Sequence, residues 1–337
     1  MRRSGKPSRF ALWSTMTAAT LASLCGCSSG AVAPTTTTPT PVVAKPRLVG
    51  YLPDYHQSYA LYAKSLDFSQ MTHLLLAFGH APLCNGTCTA SSDMTITMQQ
   101  QTDADIDTLV TAAHQAGVKV LLSLGGGDVP GDTTFAQFYN AGLSTELAAS
   151  VNNFVSAHNM DGVDVDIEDA TNMGQPYADF VQALANVLHP EGKLLSAAMG
   201  PSLQKAIPDA VLGECDFINV LTFSTDAQAV SDLQYYTQQK SVPASHLVLG
   251  VPFFGRNADQ SILESYAAIL AAYPNAWQTD EVSGGSLDGG IALFYVGEST
   301  MAEETKLGTQ YGGIMVWELS QDAPAPHSLL KIIQANL

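Results

Sequence analysis

From Arg47 onward the chain alternates between two rhythms of apolar and polar positions. Short runs dominated by Val, Leu, Ile and Phe cover 47–52, 72–78, 118–124, 194–199, 217–223, 247–254 and 313–319. Runs of this length and composition read as strands buried on both faces. Between them apolar residues recur at helical spacing. In 101–117, Ile106, Leu109, Val110 and Ala113 share one side and Gly117 supplies a stop. Further helical segments are expected over 133–140, 145–158, 175–188, 203–212 and 227–239. One more stretch, 161–168, alternates strictly: Val163, Val165 and Ile167 against Asp164, Asp166 and Glu168. It supplies a fourth strand, so strand and helix alternate through eight units in roughly 290 residues, the pattern of an α/β protein built as a TIM (β/α)8 barrel. Such barrels carry their chemistry on the loops that follow the strands.

The alternating acidic strand sits at one of those ends. Side chains of a strand point to opposite faces in turn, so Asp164, Asp166 and Glu168 project together. Three acids this close cannot all ionise cheaply, and apolar surroundings raise the pKa of at least one further. A carboxyl group can thereby stay protonated near neutral pH and act as a general acid. Glu168, last in the run, is best placed to reach a ligand. A solvated acidic face or a calcium loop is the bland alternative, but a calcium loop needs a turn glycine and flexible spacing, whereas Val, Val and Ile alternate here as a buried strand requires. No metal is expected.

Composition narrows the partners. The 337-residue chain is 46% hydrophobic, ample for a large core, and carries a formal charge of −17. A surface that acidic repels phosphate backbones and excludes nucleic acid as a target. Strand three runs into Ser123-Leu124-Gly125-Gly126-Gly127. These glycines let backbone approach a ligand or a neighbouring strand, but the Lys-Ser/Thr of a phosphate loop is missing, so no nucleotide cofactor is expected.

The N-terminus reads as an export signal over 1–26: Arg2, Arg3, Lys6 and Arg9 form a basic leader ahead of an apolar stretch too short and too rich in Thr and Ser to span a membrane. Leu24-Cys25-Gly26-Cys27 looks like a bacterial lipobox, with Cys27 as the lipid anchor; plain secretion is the alternative. The Thr- and Pro-rich stretch 27–46 would be a tether, and 47–337 the folded domain. Cys84 and Cys88, around Asn-Gly, can close a small structural loop, and outside the cytoplasm a disulfide is the expected product. Cys215 is expected to be a buried free thiol.

Asp161-x-x-Asp164-x-Asp166-x-Glu168 resembles the signature of glycoside hydrolase family 18, the chitinases and endo-β-N-acetylglucosaminidases. Ser123-x-Gly125-Gly126 is similar to that family's second signature, and the runs beginning at Leu48, His73, Leu249 and Gly312 look like its first, second, seventh and eighth strands. The resemblance implies a retaining glycosidase of chitin or other N-acetylglucosamine glycans, and a monomer is expected. Glu168 would be the catalytic acid, with Asp166 and Asp164 as its catalytic partners and Asp161 and Ser123 in structural roles. Hydrolysis would be assisted by the sugar's own acetamido group, not by a second carboxylate. Trp317 would floor the sugar site, an ordinary core aromatic being the alternative, and Tyr51, Phe78, Gly126, Met199, Phe223 and Arg256 would fall among the sugar-contacting positions. With only about fifty residues between Arg256 and Gly312, the large α+β insertion between strands seven and eight of some members is expected to be missing.

One position departs from the family pattern. Where Met-x-Tyr-Asp is usual on strand six, the chain reads Leu221-Thr222-Phe223-Ser224. The tyrosine hydroxyl that would hold the acetamido oxygen is absent, so either Tyr55, Tyr139, Tyr177 or another residue replaces it, or catalysis is weak and the protein is a carbohydrate binder on the same scaffold. An endoglycosidase acting on N-glycans or peptidoglycan is the third reading.

Overall fold

The computed structural model describes residues 45–337 apart from 128–130, 224, 225, 286 and 288. The expected signal, Cys27 and Ser224 therefore lie outside the described residues.

The first strand β1 (Arg47–Pro53) leads through α1 (Tyr59–Ser65) into β2 (His73–His80), which pairs antiparallel at its tip with the short β3 (Thr97–Met98). Then follow α2 (Asp103–Gln115), β4 (Lys119–Gly125), α3 (Gly131–Asn140), α4 (Ser144–Ala157), β5 (Gly162–Asp166), α5 (Gln175–Leu188) and β6 (Leu194–Met199). The chain continues through α6 (Asp209–Glu214), β7 (Phe217–Leu221), α7 (Asp226–Gln238) and β8 (Leu247–Pro252). Eight parallel strands pair in the order β1, β13 (Gly313–Trp317), β8, β7, β6, β5, β4, β2, and β1 pairs with β2 to close the ring. The (β/α)8 barrel expected from the apolar pattern is thus the observed fold.

Alternation of side chains along each strand divides the core in two. Val49, Tyr51, Leu75, Ala77, Leu121, Ala198 and Met315 belong to a cluster inside the barrel. Leu74, Leu122, Val163, Val165, Leu195 and Met199 join a larger cluster shared with the surrounding helices. Helix α2 starts on a capping box in which Thr102 and Asp105 satisfy each other's backbone N–H groups. On the face opposite the strand C-termini, Asp161 ties β4 to β5 by accepting from Lys119 Nζ at 2.5 Å, His114 Nε2 at 2.8 Å and the Val120 N–H at 2.8 Å. Burial pushes the Asp161 carboxyl up, but these donors outweigh it and leave its pKa below the usual value.

Two sequence expectations need correction. The helix expected over 203–212 is broken: a 3-10 turn spans Pro201–Leu203 and α6 begins only at Asp209, because Pro208 disfavours helical backbone before it and can only start a new helix. The acidic strand β5 and the later strand β7 also end early, at Asp166 and Leu221, so Glu168 and Phe223 stand on loops just beyond them.

Between β8 and β13 the chain builds a small four-stranded antiparallel sheet in the order β10 (Leu263–Ser265), β9 (Phe254–Arg256), β12 (Leu293–Phe294), β11 (Glu281–Val282). Helices α8 (Tyr266–Ala272) and α9 (Glu298–Gly308) flank it, and α10 (Leu329–Asn336) ends the chain. These strands are too short to show a period, so the sequence did not reveal them. The Cys84–Cys88 disulfide is formed. Its loop is held to α3, where Gln137 accepts from the Cys84 N–H at 2.8 Å and donates to the Pro82 carbonyl at 2.9 Å. Cys215 is a buried free thiol whose pKa is raised, chiefly by burial.

Candidate active site

The acidic strand delivers its carboxylates into the barrel. Asp164 is fully buried, and four inward-facing residues on four different strands point donors at it. Tyr51 Oη (β1) and Ser123 Oγ (β4) donate to Oδ2 at 2.7 and 2.8 Å. Ser196 Oγ (β6) and Asn219 Nδ2 (β7) donate to Oδ1 at 2.6 and 3.2 Å. Burial raises the Asp164 pKa, and the four hydrogen bonds pull it down without cancelling the rise. Asp166, two residues along, is 3% exposed. The Tyr51 hydroxyl reports the crowding: burial first, then the charges of Asp164, Asp166 and Glu168, push its pKa well above the ordinary value. Two stacked carboxyl groups in so dry a place share a proton more easily than they both ionise.

Glu168 lies at the top, exposed. Burial is thus concentrated on Asp164 and Asp166, not on the residue expected to be the acid. The glycine run explains how Glu168 is seated. A Cβ added to Gly127 would lie 2.8 Å from Glu168 Oε1, and one added to Gly126 would lie 2.6 Å from the Phe78 ring. Gly126 has φ +95°, a region that side chains avoid, and its N–H donates to the Asp166 carbonyl at 2.7 Å. The turn after β4 therefore passes between Phe78 and Glu168 only because it carries no side chains.

Aromatic rings form the other wall. Trp317, half-buried at the end of β13, stacks on Phe78 with centroids 5.7 Å apart and planes at 22°. Tyr51 meets Trp317 edge-on at 5.2 Å. The next residue, Glu318, is fully buried and accepts from the Ser320 N–H and Oγ, each at 2.7 Å, with His56 Nε2 at 3.3 Å. Phe223 follows β7 and meets Phe254 edge-on at 5.6 Å. Arg256 on β9 donates to the Phe223 carbonyl at 2.6 Å and to Gln260 Oε1 at 3.2 Å, bracing that loop.

Most of the sequence-predicted residues are thus brought together at one mouth: Asp164, Asp166, Glu168, Ser123, Tyr51, Phe78, Gly126, Trp317 and, to one side, Phe223 and Arg256. Met199 does not join them. On β6 the inward positions are Ser196 and Ala198, and Met199 falls on the outer face among core residues of the helical layer. Tyr139 and Tyr177 are also in that outer layer, edge-on at 6.2 Å, and do not reach the mouth. Tyr55 is 47% exposed beside His56 on the loop after β1. Sequence reasoning missed Ser196, Asn219 and Glu318. The first two were signalled by lone polar residues at inward positions of otherwise apolar strands. Among the described residues no group of three His, Cys, Asp or Glu side chains could hold a metal, and no helix is long and apolar enough to cross a membrane.

The site thus sets a buried aspartate pair, a carboxylate and an aromatic wall at the mouth of a closed (β/α)8 barrel. The sequence model described as glycosyl hydrolases family 18 matches residues 47–322, and the chain belongs to that family. Its fold is similar to the family 18 chitinase ChiB from the chitin utilization locus of Flavobacterium johnsoniae, with TM-score 0.73 and 27% identity over 87% of this chain and 94% of that one. A chitinase from Bacteroides thetaiotaomicron shares the fold at TM-score 0.72 and 21% identity, over 86% of this chain and 96% of that one. So does a chitinase-like agglutinin from Robinia pseudoacacia, at TM-score 0.67 and 20% identity, over 86% and 98%. A chitinase-like effector of Moniliophthora perniciosa is 31% identical over 113 residues, 34% of this chain. The match spans 24% of that effector's length. The chain is therefore chitinase-like in family and fold.

Proposed function

We propose that the protein is an exported glycosidase that cleaves β-1,4-linked N-acetylglucosamine glycans, chitin or its oligosaccharides, with Glu168 as general acid and base. The sugar before the scissile bond rests on Trp317. Glu168 protonates the glycosidic oxygen, and the acetamido carbonyl of that sugar attacks its anomeric carbon, giving an oxazolinium ion and the released alcohol. Water, deprotonated by Glu168, then opens the ring with net retention. Asp166 orients the acetamido N–H and balances its developing charge, while Asp164 takes a share of the proton between them.

The observation that carries this reading is the Asp164 cradle: a fully buried carboxylate held by four donors directly beneath Asp166. The test is release of sugar from chitin oligosaccharides by the wild type and by Glu168→Gln. The wild type is expected to turn over and the variant to lose at least ~100-fold in kcat, the scale of a positioned general acid. Binding without any release by the wild type would reject the enzyme.

Phe223 favours a second reading, a glycan-binding protein with weak hydrolysis. Its ring offers no hydroxyl to the acetamido oxygen, and neither Tyr139 nor Tyr177 stands at the mouth to replace it. For location, the basic leader and the Leu24-Cys25-Gly26-Cys27 stretch support export with lipid attachment at Cys27.

A further inference from the structure

Beside the mouth, on the β7 and β8 side, lies a cavity of about 570 Å³ walled by the rings of Phe223, Phe254 and Phe294, with Arg256 and Asp280 at its edge. This falls within the ~300–1,000 Å³ typical of small-ligand sites. The pairing of the small sheet builds it. Arg256 is opposite both Leu263 and Phe294, so the three side chains share a face, and Phe254, two positions earlier on β9, lies on it too. Phe294 remains 46% exposed and Leu263 56%.

The polar groups at the edge are fixed. Arg256 uses one donor on the Phe223 carbonyl and one on Gln260 and has others to offer. Asp280 accepts from the Gly297 N–H at 2.7 Å and Thr300 Oγ1 at 2.8 Å. Flat apolar rings beside a few anchored donors and acceptors suit a pyranose, which presents C–H faces to aromatics and hydroxyls to both kinds of polar group.

We infer that this cavity binds a sugar residue branching from the glycan whose backbone lies across the mouth. The inference rests on the glycan-cleaving reading above. Position argues for a branch. Phe78 and Trp317 stand at the ends of β2 and β13, on either side of β1, and Glu168 follows β5 across the ring. The strand order puts β6, β7 and β8 all to one side of the line between them. A chain running from Trp317 to Glu168 passes the cavity laterally, with Phe223 as the shared wall.

The experiment is calorimetric binding to Glu168→Gln of two probes: a linear N-acetylglucosamine tetrasaccharide, and the same backbone carrying one sugar at C6 of an interior residue. The branched probe is expected to bind about tenfold more tightly, the scale of one good ring contact. Phe294→Ala removes a wall and Ala258→Trp fills the cavity from its exposed rim. Each is expected to abolish the branched probe's advantage while leaving the linear Kd unchanged, which also shows that the variants fold. Equal binding of the two probes, or equal weakening of both by the variants, overturns the branch site and leaves the hydrolase intact. If neither probe binds, the functional proposal falls and the branch site with it.

Discussion

Replacing Ser196 by alanine tests the buried aspartate on which the chemistry depends. The Ser196 Oγ to Asp164 Oδ1 distance is 2.6 Å in a site closed to solvent, within the short range of a hydroxyl bonded to an ionised oxygen. A hydrogen bond to a charged partner contributes about 1.5–3 kcal/mol, and one between neutral partners about 1 kcal/mol. Loss of one hydroxyl oxygen leaves almost no cavity, so the electrostatic effect dominates. Its sign follows from the raised pKa of Asp164. A carboxyl whose folded pKa exceeds its unfolded one favours the fold fully below the unfolded value, and that advantage is lost as pH rises through the folded value. Ser196→Ala raises the folded pKa further, so its cost grows with pH. Urea unfolding of wild type and variant at about pH 2.5 and about pH 8, below and above the ordinary aspartate value of about 3.9, is expected to give a difference of about 1 kcal/mol in acid and about 2–3 kcal/mol in base. A pH-independent difference, or one larger in acid, would refute the view that Ser196 holds an ionising carboxylate.

Three further outcomes are expected. Phe223→Tyr restores a hydroxyl beside the acetamido group and should raise kcat on chitin oligosaccharides at least ~10-fold, since such a donor is worth about 2–4 kcal/mol in the transition state; no gain would mean that another group already holds that oxygen. Gly127→Ala places a methyl group 2.8 Å from Glu168 Oε1, and because the exposed carboxylate yields more easily than the backbone, kcat should fall ~10- to 100-fold with the unfolding midpoint nearly unchanged; a matching loss of stability would show that the turn, not the acid, was disturbed. Cys27→Ser should shift the protein from the membrane to the soluble fraction of the producing cell, and continued membrane association would count against the lipid anchor.

The barrel was legible because seven of its eight strands are dominated by apolar residues, and in a sheet covered on both faces such runs have no other use. The acidic strand was legible for the opposite reason: Asp164 and Asp166 break the run at a period of two, which fixes their face without any coordinates. The partners of Asp164 were only half visible. Ser123 belongs to a recognisable motif, whereas Ser196 and Asn219 acquire meaning only when closure of the ring brings β6 and β7 beside β5. Met199 went wrong through its place at the end of a strand, where proximity to the mouth outweighed parity: Ser196 faces inward, so a residue three positions on faces outward. The cavity beside Phe223 could not be read at all, because β9 and β12 have three and two residues and their pairing depends on the fold.

The Asp164 cradle also bears on whether the scaffold hydrolyses or only binds. Taking a carboxylate fully out of water costs several kcal/mol even after the protein relaxes around it, and replacing buried charge by packed apolar groups is often neutral or stabilising. Four donors from β1, β4, β6 and β7 offset part of that cost, and burial still holds the Asp164 pKa above its ordinary value. A glycan binder needs only the surface: Trp317, Phe78 and a few polar groups at the mouth serve it equally well over an apolar barrel centre. Proton sharing with Asp166 gives a buried carboxyl at Asp164 a use that an apolar residue there could not serve. Replacement of Asp164 by asparagine, which keeps the shape but cannot exchange a proton, therefore separates the two readings: a binder keeps its Kd for linear oligosaccharides, whereas a hydrolase keeps that Kd and loses kcat.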